Sequence, residues 1–456
     1  MEVFERSFEE NIEILQKLLK GNRMTRFRTE YLALHSYDQA KIFLAFEEEY
    51  SEKVYQYLSP SELANVFDSV ETEQHEYMDV YFEEMNNTYA AAVLGDMYAD
   101  NAVDILNNLS DRERVNIYMH LMKPASAREI SQLINYLDDT AGSIMTTEFV
   151  SVQEGEDLKS AYQHLKNVAS SAETIYYVYV VDDNKRLVGV ISLRDLILNE
   201  DSKLIRDIMN TRVIAVQVND DQEEVAKMVM DYNLLALPVV GFDQELLGII
   251  TVDDIIDVIQ EEADSDYSGL AAVNVNEEHE TPFGAAKSRL PWLITLLFLG
   301  LGTASLISQY EEVIATASVL SSFVTLITGT AGNAGTQSLA VAVRKLANKS
   351  EEDNFFNSLT FELLTGVFTA IIVGATIAVV AGLWKQNFIL GFVIGIAMAA
   401  AIIVANLAGA LIPKLMTRLG FDPAVASGPF ISTLSDLTSV LIYFSIASLF
   451  LEQLTY

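Results

Sequence analysis

Ser427-Gly428-Pro429-Phe430-Ile431-Ser432-Thr433-Leu434-Ser435-Asp436 lies in the last of several long apolar segments at the C-terminal end of the chain. A proline, hydroxyls at helical spacing and one carboxylate are unusual company for an apolar helix. A carboxylate at membrane depth costs roughly 2.5–3.5 kcal/mol on insertion scales, so an acid there marks a functional site. Asp436 stands 14 residues past Asp422. On a straight helix that is about 21 Å at 1.5 Å per residue, well inside a bilayer. Pro429 has no N–H to give to the Val425 carbonyl, which leaves that oxygen for a ligand, a water or another helix. Ser432, Asp436 and Ser439 are spaced four and three apart and share a face with Pro429. An acid on a polar, proline-broken membrane helix suggests a cation path.

Outward from this stretch, apolar runs of about 20 residues recur from Leu290 on, the length that crosses a bilayer. We read five spans: 290–308, 313–343, 359–383, 388–412 and 423–450. So few charges in five such runs argue against the buried core of a water-soluble domain. Lys287, Arg289, Arg344, Lys345, Lys349, Lys414 and Arg418 fall on one side and Lys385 on the other. With the basic side cytosolic, the N-terminal part is inside and the C-terminus outside. Trp292 and Trp384 sit near span ends, as interfacial anchors do. The second span contains Gly329-Thr330-Ala331-Gly332-Asn333-Ala334-Gly335-Thr336-Gln337. Small residues let helices pack closely, and Asn or Gln can hydrogen-bond across them. By spacing alone this segment reads equally as packing surface or as pore lining. It is not a phosphate loop, because no Lys follows Gly335. Glu362, near the inner end of the third span, is placed to snorkel or to pair with an inner Lys or Arg.

Charge is uneven along the 456 residues. Nine acids and six bases follow Pro291, leaving 55 of the 64 acids and 23 of the 29 bases before it. Nearly all of the net charge of −35 therefore belongs to the N-terminal part. Such a surface repels nucleic acid and anionic headgroups and gathers cations. The chain has no cysteine, hence no disulfide and no thiolate metal site. The acidic start Met1-Glu2-Val3-Phe4-Glu5-Arg6 lacks the pattern of a signal peptide.

Residues 1–143 read as a helical superhelix of open hand. Its short units begin with a turn and an acid, as in Ser36-Tyr37-Asp38, Ser59-Pro60-Ser61-Glu62 and Tyr98-Ala99-Asp100. Residues 144–260 hold an internal repeat. Ile144-Met145 recurs as Ile208-Met209. Leu187-Val188-Gly189-Val190-Ile191-Ser192-Leu193-Arg194-Asp195 recurs as Leu246-Leu247-Gly248-Ile249-Ile250-Thr251-Val252-Asp253-Asp254. Each copy reads as strand, amphipathic helix, strand, turn, strand, helix. No Lys or Arg occurs between Lys227 and Lys287, a run holding Asp253, Asp254, Asp257, Glu261, Glu262, Asp264 and Asp266. Like charges at helix spacing cost roughly a few tenths of a kcal/mol per pair. A solvated acidic face or bridging divalent cations would each account for them. The run leads directly into the first span through 261–290, a connecting segment.

The repeat resembles a tandem pair of CBS domains. In that family a hydroxyl and an acid after the last strand hold a nucleotide ribose. The matching residues are Ser192 with Asp195 and Thr251 with Asp254, and Tyr177 is placed to stack on a base. Helix capping explains the same residues equally well. Arg289-Leu290-Pro291-Trp292, Gly332-Asn333-Ala334-Gly335-Thr336-Gln337, Ala405-Asn406-Leu407-Ala408-Gly409 and Asp422-Pro423 through Asp436 extend the likeness. The whole chain resembles an MgtE-type magnesium channel.

That resemblance implies a multidomain fold: an all-α superhelical N domain (1–143), an α/β tandem CBS pair (144–260), a plug helix (261–290) and a five-helix transmembrane pore domain (291–456). It implies a homodimer in the plasma (inner) membrane, with the pore on the two-fold axis. Asp436 matches the pore carboxylate, accompanied by Gly332, Asn333, Gly335, Gly428, Pro429 and Ser432. Asp100, Asp104, Asp221, Glu223, Asp254, Asp257, Glu262 and Asp266 match acids that bind cytosolic Mg2+ and close the pore. ATP is a candidate ligand of the CBS pair. Two departures touch this pattern: Asn233 replaces a family acid, and Gly428 stands where relatives carry a larger polar residue. Oxygen ligands discriminate poorly among divalent cations, so a channel for Mn2+, Co2+ or Ca2+ and a Na+- or H+-coupled carrier are the alternatives within the fold. A membrane-anchored CBS nucleotide sensor without transport is the alternative outside it. His35, His75, His120, His164 and His279 are scattered without metal-ligand spacing, and no nucleophile motif points to an enzyme.

Overall fold

Capped starts and apolar stripes shape the N-terminal third. The computed structural model describes residues 6–70, 78–170, 172–273, 281–347, 355–419 and 428–454. Helices α1 (Phe8–Lys20) to α10 (Pro124–Leu133) follow one another along the chain. The three turn-plus-acid units each begin a helix: α3 (Ser36–Leu44), α5 (Pro60–Phe67) and α8 (Ala99–Asn108). At α5 the Ser59 hydroxyl accepts from Glu62 N, while the Glu62 carboxylate accepts from Ser59 N. That reciprocal pair satisfies two otherwise orphaned main-chain donors. Arg28 donates two hydrogen bonds to the same carboxylate, at 2.8 and 2.5 Å, and these hold Glu62 down at a pKa of about 2. His35 caps α3 through Nδ1, the ordinary role expected of it. His75 and His279 lie outside the described residues.

A ladder of fully buried rings forms the N-terminal core. Phe43 meets Phe67 at 5.3 Å, and Phe67 meets Phe82 at 5.7 Å, both edge to face. This core runs without a break into Ala141, Met145, Val218, Val225 and Ile255 of the repeat region. Main-chain hydrogen bonds from Gly142 to Val218 (2.9 Å) and from Gln222 to Asp139 (3.0 Å) fasten the join.

The repeat folds as two three-stranded sheets of identical plan. The first contains β1 (Ser151–Gln153), β2 (Tyr177–Val181) and β3 (Leu187–Ser192), with α11 (Leu158–Val168) between β1 and β2. Next come α12 (Leu193–Leu198) and α13 (Ile205–Ile208). The second sheet contains β4 (Val216–Gln217), β5 (Ala236–Val240) and β6 (Leu246–Thr251), with α14 (Gln222–Tyr232) between β4 and β5. In each sheet the first pair is parallel and the second antiparallel, with Val178 opposite Ile191 and Leu237 opposite Ile250. The recurring Ile-Met pair works crosswise. Met145 of the first copy packs over Gly248 of the second, and Met209 over Gly189. A Cβ on Gly248 would lie 2.6 Å from the Thr146 carbonyl, so the glycine of each copy admits the other's methionine.

Asn233 has a physical reason to be an amide. It ends α14 at φ 52°, ψ 48°. After glycine, asparagine is among the residues best suited to that left-handed conformation.

The chain divides into a unit Met1–Gln260 and a unit Glu261–Tyr456. Helix α15 (Val252–Ala271) crosses the division, so the expected connecting segment begins inside the second repeat. Residues 274–280 lie outside the described residues. Helix α16 (Pro282–Ser308) then continues through Pro291 into the first expected span. The second expected span is interrupted. A short helix α17 (Glu311–Thr316) and a 3-10 turn at Ser318–Leu320 precede α18 (Ser321–Ala347). Ala317 leaves helical geometry at φ −131°, ψ 71°. Side chains take up the carbonyls at this break: Ser321 Oγ donates to Ser318 (2.7 Å), and the buried Tyr443 hydroxyl donates to Leu320 (2.9 Å). Helices α19 (Phe355–Lys385), α20 (Phe388–Arg418), α21 (Gly428–Leu449) and α22 (Leu451–Leu454) complete the unit.

Among the described residues, four helices are long and apolar enough to cross a membrane: α16, α19 from Leu359, α20 and α21. With 27 residues, α18 has the length too, but its Gly-Asn-Ala-Gly-Thr-Gln segment helps make it the least apolar of the long helices in this unit. The chain is a multi-pass membrane protein.

Candidate ion path and acidic cluster

Helix α18 is two-faced. Ile327, Ala331, Ala334, Ser338, Leu339 and Ala342 are buried against its neighbours. Thr325, Gly329, Asn333 and Gln337, at helical spacing, form an exposed polar edge. Gly332 and Gly335 lie on the buried side. A Cβ on Gly332 would lie 2.8 Å from Ser432 Oγ. One on Gly335 would lie 3.0 Å from both Ile431 Cγ2 and Ser435 Oγ and 3.2 Å from the Ala405 carbonyl. Gly409 of α20 presses in turn on the Gly335 carbonyl. Sequence spacing left packing and pore lining as equal readings of this segment. Gly332 and Gly335 pack against neighbouring helices, whereas Gly329, Asn333 and Gln337 stand on the open edge. We predict that Gly335→Ala destabilises the membrane unit by about 1–3 kcal/mol, the usual cost of overpacking. Thermal unfolding in detergent would show it as a lowered midpoint; an unchanged midpoint would contradict this packing.

On α21, Ser432 and Asp436 are half-buried and Ser439 is fully buried. The Asp436 carboxylate has neither ion pair nor hydrogen bond among the described residues. Ser435 and Ser439 bury hydroxyls that also lack partners there. The Val425 carbonyl, expected to be freed by Pro429, lies outside the described residues, as do Asp422 and Pro423. Gly428 has a clear spatial role: a Cβ would approach the Leu270 carbonyl to 3.2 Å and Thr336 Cγ2 to 3.3 Å. Leu270, near the end of α15, packs with Leu339, Val343 and Ile431. Glu362 pairs with Lys345, one of the inner bases expected for it, at 3.3 Å.

The first unit holds a second constellation. Carboxylate oxygens of Glu173, Asp253 and Asp254 lie within 4.8 Å of one another. Thr251 Oγ1 donates to Asp254 at 2.5 Å and lies 3.3 Å from Glu173 Oε1. Asp100 is 9% exposed, and its Oδ1 and Glu173 Oε2 are buried without partners among the described residues. Burial, then the neighbouring Asp254 and Glu173, raises the Asp100 pKa well above the usual carboxylate range. Burial and Asp254 push Glu173 up to about 8. Burial, opposed by the Thr251 hydrogen bond, leaves Asp254 at about 6. Glu148 adds to the field at both Asp100 and Glu173. Crowded carboxylates of this kind either hold protons or share a cation. An all-oxygen donor set with orphaned lone pairs suits a hard divalent ion.

Of the expected acids, Asp100 and Asp254 therefore meet, with Asp257 close enough to Asp254 to raise its pKa. Asp104 is half-buried on α8. Asp221 caps α14 by accepting from Glu223 N at 3.0 Å. Glu262 and Asp266 lie on the later turns of α15, in the second unit. Glu173 and Glu148 escaped sequence reasoning. They sit in connections of the first repeat, about 80 and 105 residues from Asp254 in the chain, with nothing local to mark them.

Tyr177 and Ser192 line a cavity of about 500 Å3 together with Tyr176, Arg194, Ile197 and Leu235. Asp195 is engaged with Ser192 in a capping box, Ser192 Oγ donating to it at 2.6 Å. Thr251 instead faces the acidic cluster.

A multi-pass membrane unit joined to a helical domain and a CBS pair fits the class of membrane transporters. The family described as divalent cation transporter, MgtE, matches residues 324–446. The MgtE intracellular N domain matches residues 34–139, and CBS domains match 141–200 and 205–261. The magnesium transporter MgtE of Enterococcus faecalis is 58% identical over 445 residues, covering 97% of this chain and 98% of its own. That of Bacillus subtilis is 37% identical over 439 residues, 96% of each chain. The crystal structure of the soluble part of a magnesium transporter is similar with a TM-score of 0.54 and 52% identity. It covers 56% of this chain and 100% of that one. The cytosolic domain of the Mg2+ channel MgtE in complex with ATP gives a TM-score of 0.50 at 34% identity, over 54% and 98%. The chain belongs to the MgtE magnesium transporter family.

Proposed function

We propose that this chain forms a homodimeric channel that conducts Mg2+ passively across the plasma membrane and is closed by cytosolic Mg2+. The observation that carries the reading is Asp436, a carboxylate without a protein partner among the described residues, midway along the apolar helix α21. Two copies facing each other would hold one hydrated ion. Mg2+ dehydrates reluctantly and is usually bound through one or two carboxylates with its waters kept. Such outer contacts also let it leave, as conduction requires. The exposed edge of α18, with Asn333 and Gln337, would line the same path. Gly332, Gly335 and Ser432 would bring α18 against α21, and Gly428 and Pro429 would frame the inner end.

The sensor, in this reading, comprises Asp100, Asp104, Asp221, Glu223, Asp254, Asp257, Glu262 and Asp266, to which we add Glu173, Asp253 and Glu148. Bridging ions favour a closed arrangement only if they bind it more tightly than the open one. We divide the chain functionally into an N domain (1–143), a CBS pair (144–260), a plug (261–290) and a pore (291–456), with the first three cytosolic and the C-terminus outside. ATP would occupy the cavity at Tyr177 and Ser192.

The test is flux into liposomes carrying the purified full-length protein. Mg2+ should enter down its gradient with no Na+ or pH gradient present. Entry only with such a gradient would make the protein a coupled carrier, and no entry under any condition would overturn the transport reading. Parallel assays with Mn2+, Co2+ and Ca2+ set the selectivity.

A further inference from the structure

The Lys345–Glu362 pair lies on the side of α18 away from the exposed edge, where ion passage makes no use of it. Glu362 is 6% exposed on α19. Lys345 Nζ reaches its Oε1 at 3.3 Å and also lies 5.0 Å from the centre of the Phe361 ring. Ser338, two helical turns before Lys345, stands on the same stripe of α18. Its hydroxyl donates to the Asn406 carbonyl of α20 at 2.9 Å and lies 3.4 Å from Glu362 Oε2. Asn406 Nδ2 donates to the main-chain oxygen of Glu362 at 3.3 Å. Three helices are thus tied by polar groups at one level. The tie is close because α19 carries Gly366 opposite Asn406, where a Cβ would lie 3.2 Å from the asparagine side chain.

With Glu362 buried and Lys345 half-exposed, the pair is a weak source of stability compared with apolar packing of equal volume. What it supplies here is direction. Apolar contacts tolerate small rotations of a helix, whereas two hydrogen-bonded anchors a double turn apart do not. Side-chain tips lie about 5 Å from a helix axis, so a 20° rotation of α18 would move those of Asn333 and Gln337 by about 2 Å. We propose that Lys345, Glu362, Ser338 and Asn406 form a positioning clasp that fixes the rotation of α18 and thereby sets the polar edge against the ion path. The proposal rests on the channel reading above. The clasp residues touch no ion; they act through the placement of Asn333 and Gln337.

The experiment uses full-length protein in liposomes. Mg2+ and Mn2+ fluxes are measured per folded protein, with folding judged by gel filtration, for Lys345→Met, Glu362→Gln, the double variant and Ser338→Ala. Lys345→Met strands a buried carboxylate, so its folded yield should fall most. The double variant leaves no unpaired charge and should recover yield, yet it lacks the clasp. Its Mn2+/Mg2+ flux ratio should remain shifted by about threefold or more, a difference of roughly 0.65 kcal/mol between the two ions. A folded double variant with the wild-type ratio would overturn the clasp and leave a purely structural pair. Should the double variant not fold, Ser338→Ala decides the matter alone: a shifted ratio supports the clasp and an unshifted one overturns it. Absence of Mg2+ flux in the wild-type protein would instead overturn the channel reading.

Discussion

Asp436→Ala protein reconstituted in liposomes should pass Mg2+ at less than about one-tenth of the wild-type rate, a change equivalent to about 1.4 kcal/mol. The margin is ample. At about 5 Å and an effective dielectric constant near 20, a divalent ion gains roughly 6–7 kcal/mol from one carboxylate before desolvation is counted. Losing a fifth of that already reaches tenfold. The same substitution should leave the protein as stable as before or more so. A carboxylate among apolar helix residues is a cost to insertion, and this one has no protein partner among the described residues to compensate it. Loss of flux together with a maintained unfolding midpoint separates ion binding from folding. Wild-type flux in the alanine variant would remove Asp436 from the path.

That site was legible in the sequence because the bilayer simplifies the problem. One acid in an apolar run is conspicuous whatever surrounds it, and helical spacing places its neighbours. The repeat was legible for a similar reason. Ile144-Met145 and Leu187 through Asp195 recur in order, and alternation assigns the strands. What stayed hidden depends on contacts between distant segments. Glu173 meets Asp254 because the two repeats pack crosswise, Met145 over Gly248 and Met209 over Gly189, and no local pattern encodes that. The break at Ala317 escaped because one of the carbonyls beside it, that of Leu320, is satisfied from afar by Tyr443 on α21. The roles of Gly332 and Gly335 were undecided because spacing does not show which side of a helix faces a neighbour. Asn233 looked like a lost acid until its backbone conformation gave the amide its own reason.

In chelator, a fragment ending at Gln260 should lose stability as pH rises from about 5.5 to 8.5, and Mg2+ should abolish that loss. A relative's soluble part, 100% covered by this chain, has been crystallised, so a fragment of this kind is a reasonable object. The sign follows from the direction of the shifts. Glu173, at about 8 when folded, and Asp254, at about 6, lie above their ordinary values of 4.5 and 3.8, and Asp100 is raised as well. Between the unfolded and folded values the native state binds more protons, so stability falls with rising pH. The loss begins near pH 4 and is complete above about 8. Its size is on the order of a few kcal/mol, or roughly 5–10 °C in the unfolding midpoint at this chain length. A bound divalent ion reverses the balance. Ligand carboxylates must be ionised, so binding releases protons and tightens as pH rises. The stabilisation by Mg2+ should therefore grow over the range in which the ion-free protein weakens. Glu173→Gln should remove much of the pH slope and much of the Mg2+ response together, since one carboxylate contributes to both. Calorimetry of the two proteins, with chelator and with saturating Mg2+, measures all of these quantities. A flat profile in chelator, or a wild-type Mg2+ response in Glu173→Gln, would remove the cluster from the sensor. A positive result would tie the gate to a definite energy source: the cost of ionising crowded, buried acids without a counter-charge, which a bound Mg2+ offsets.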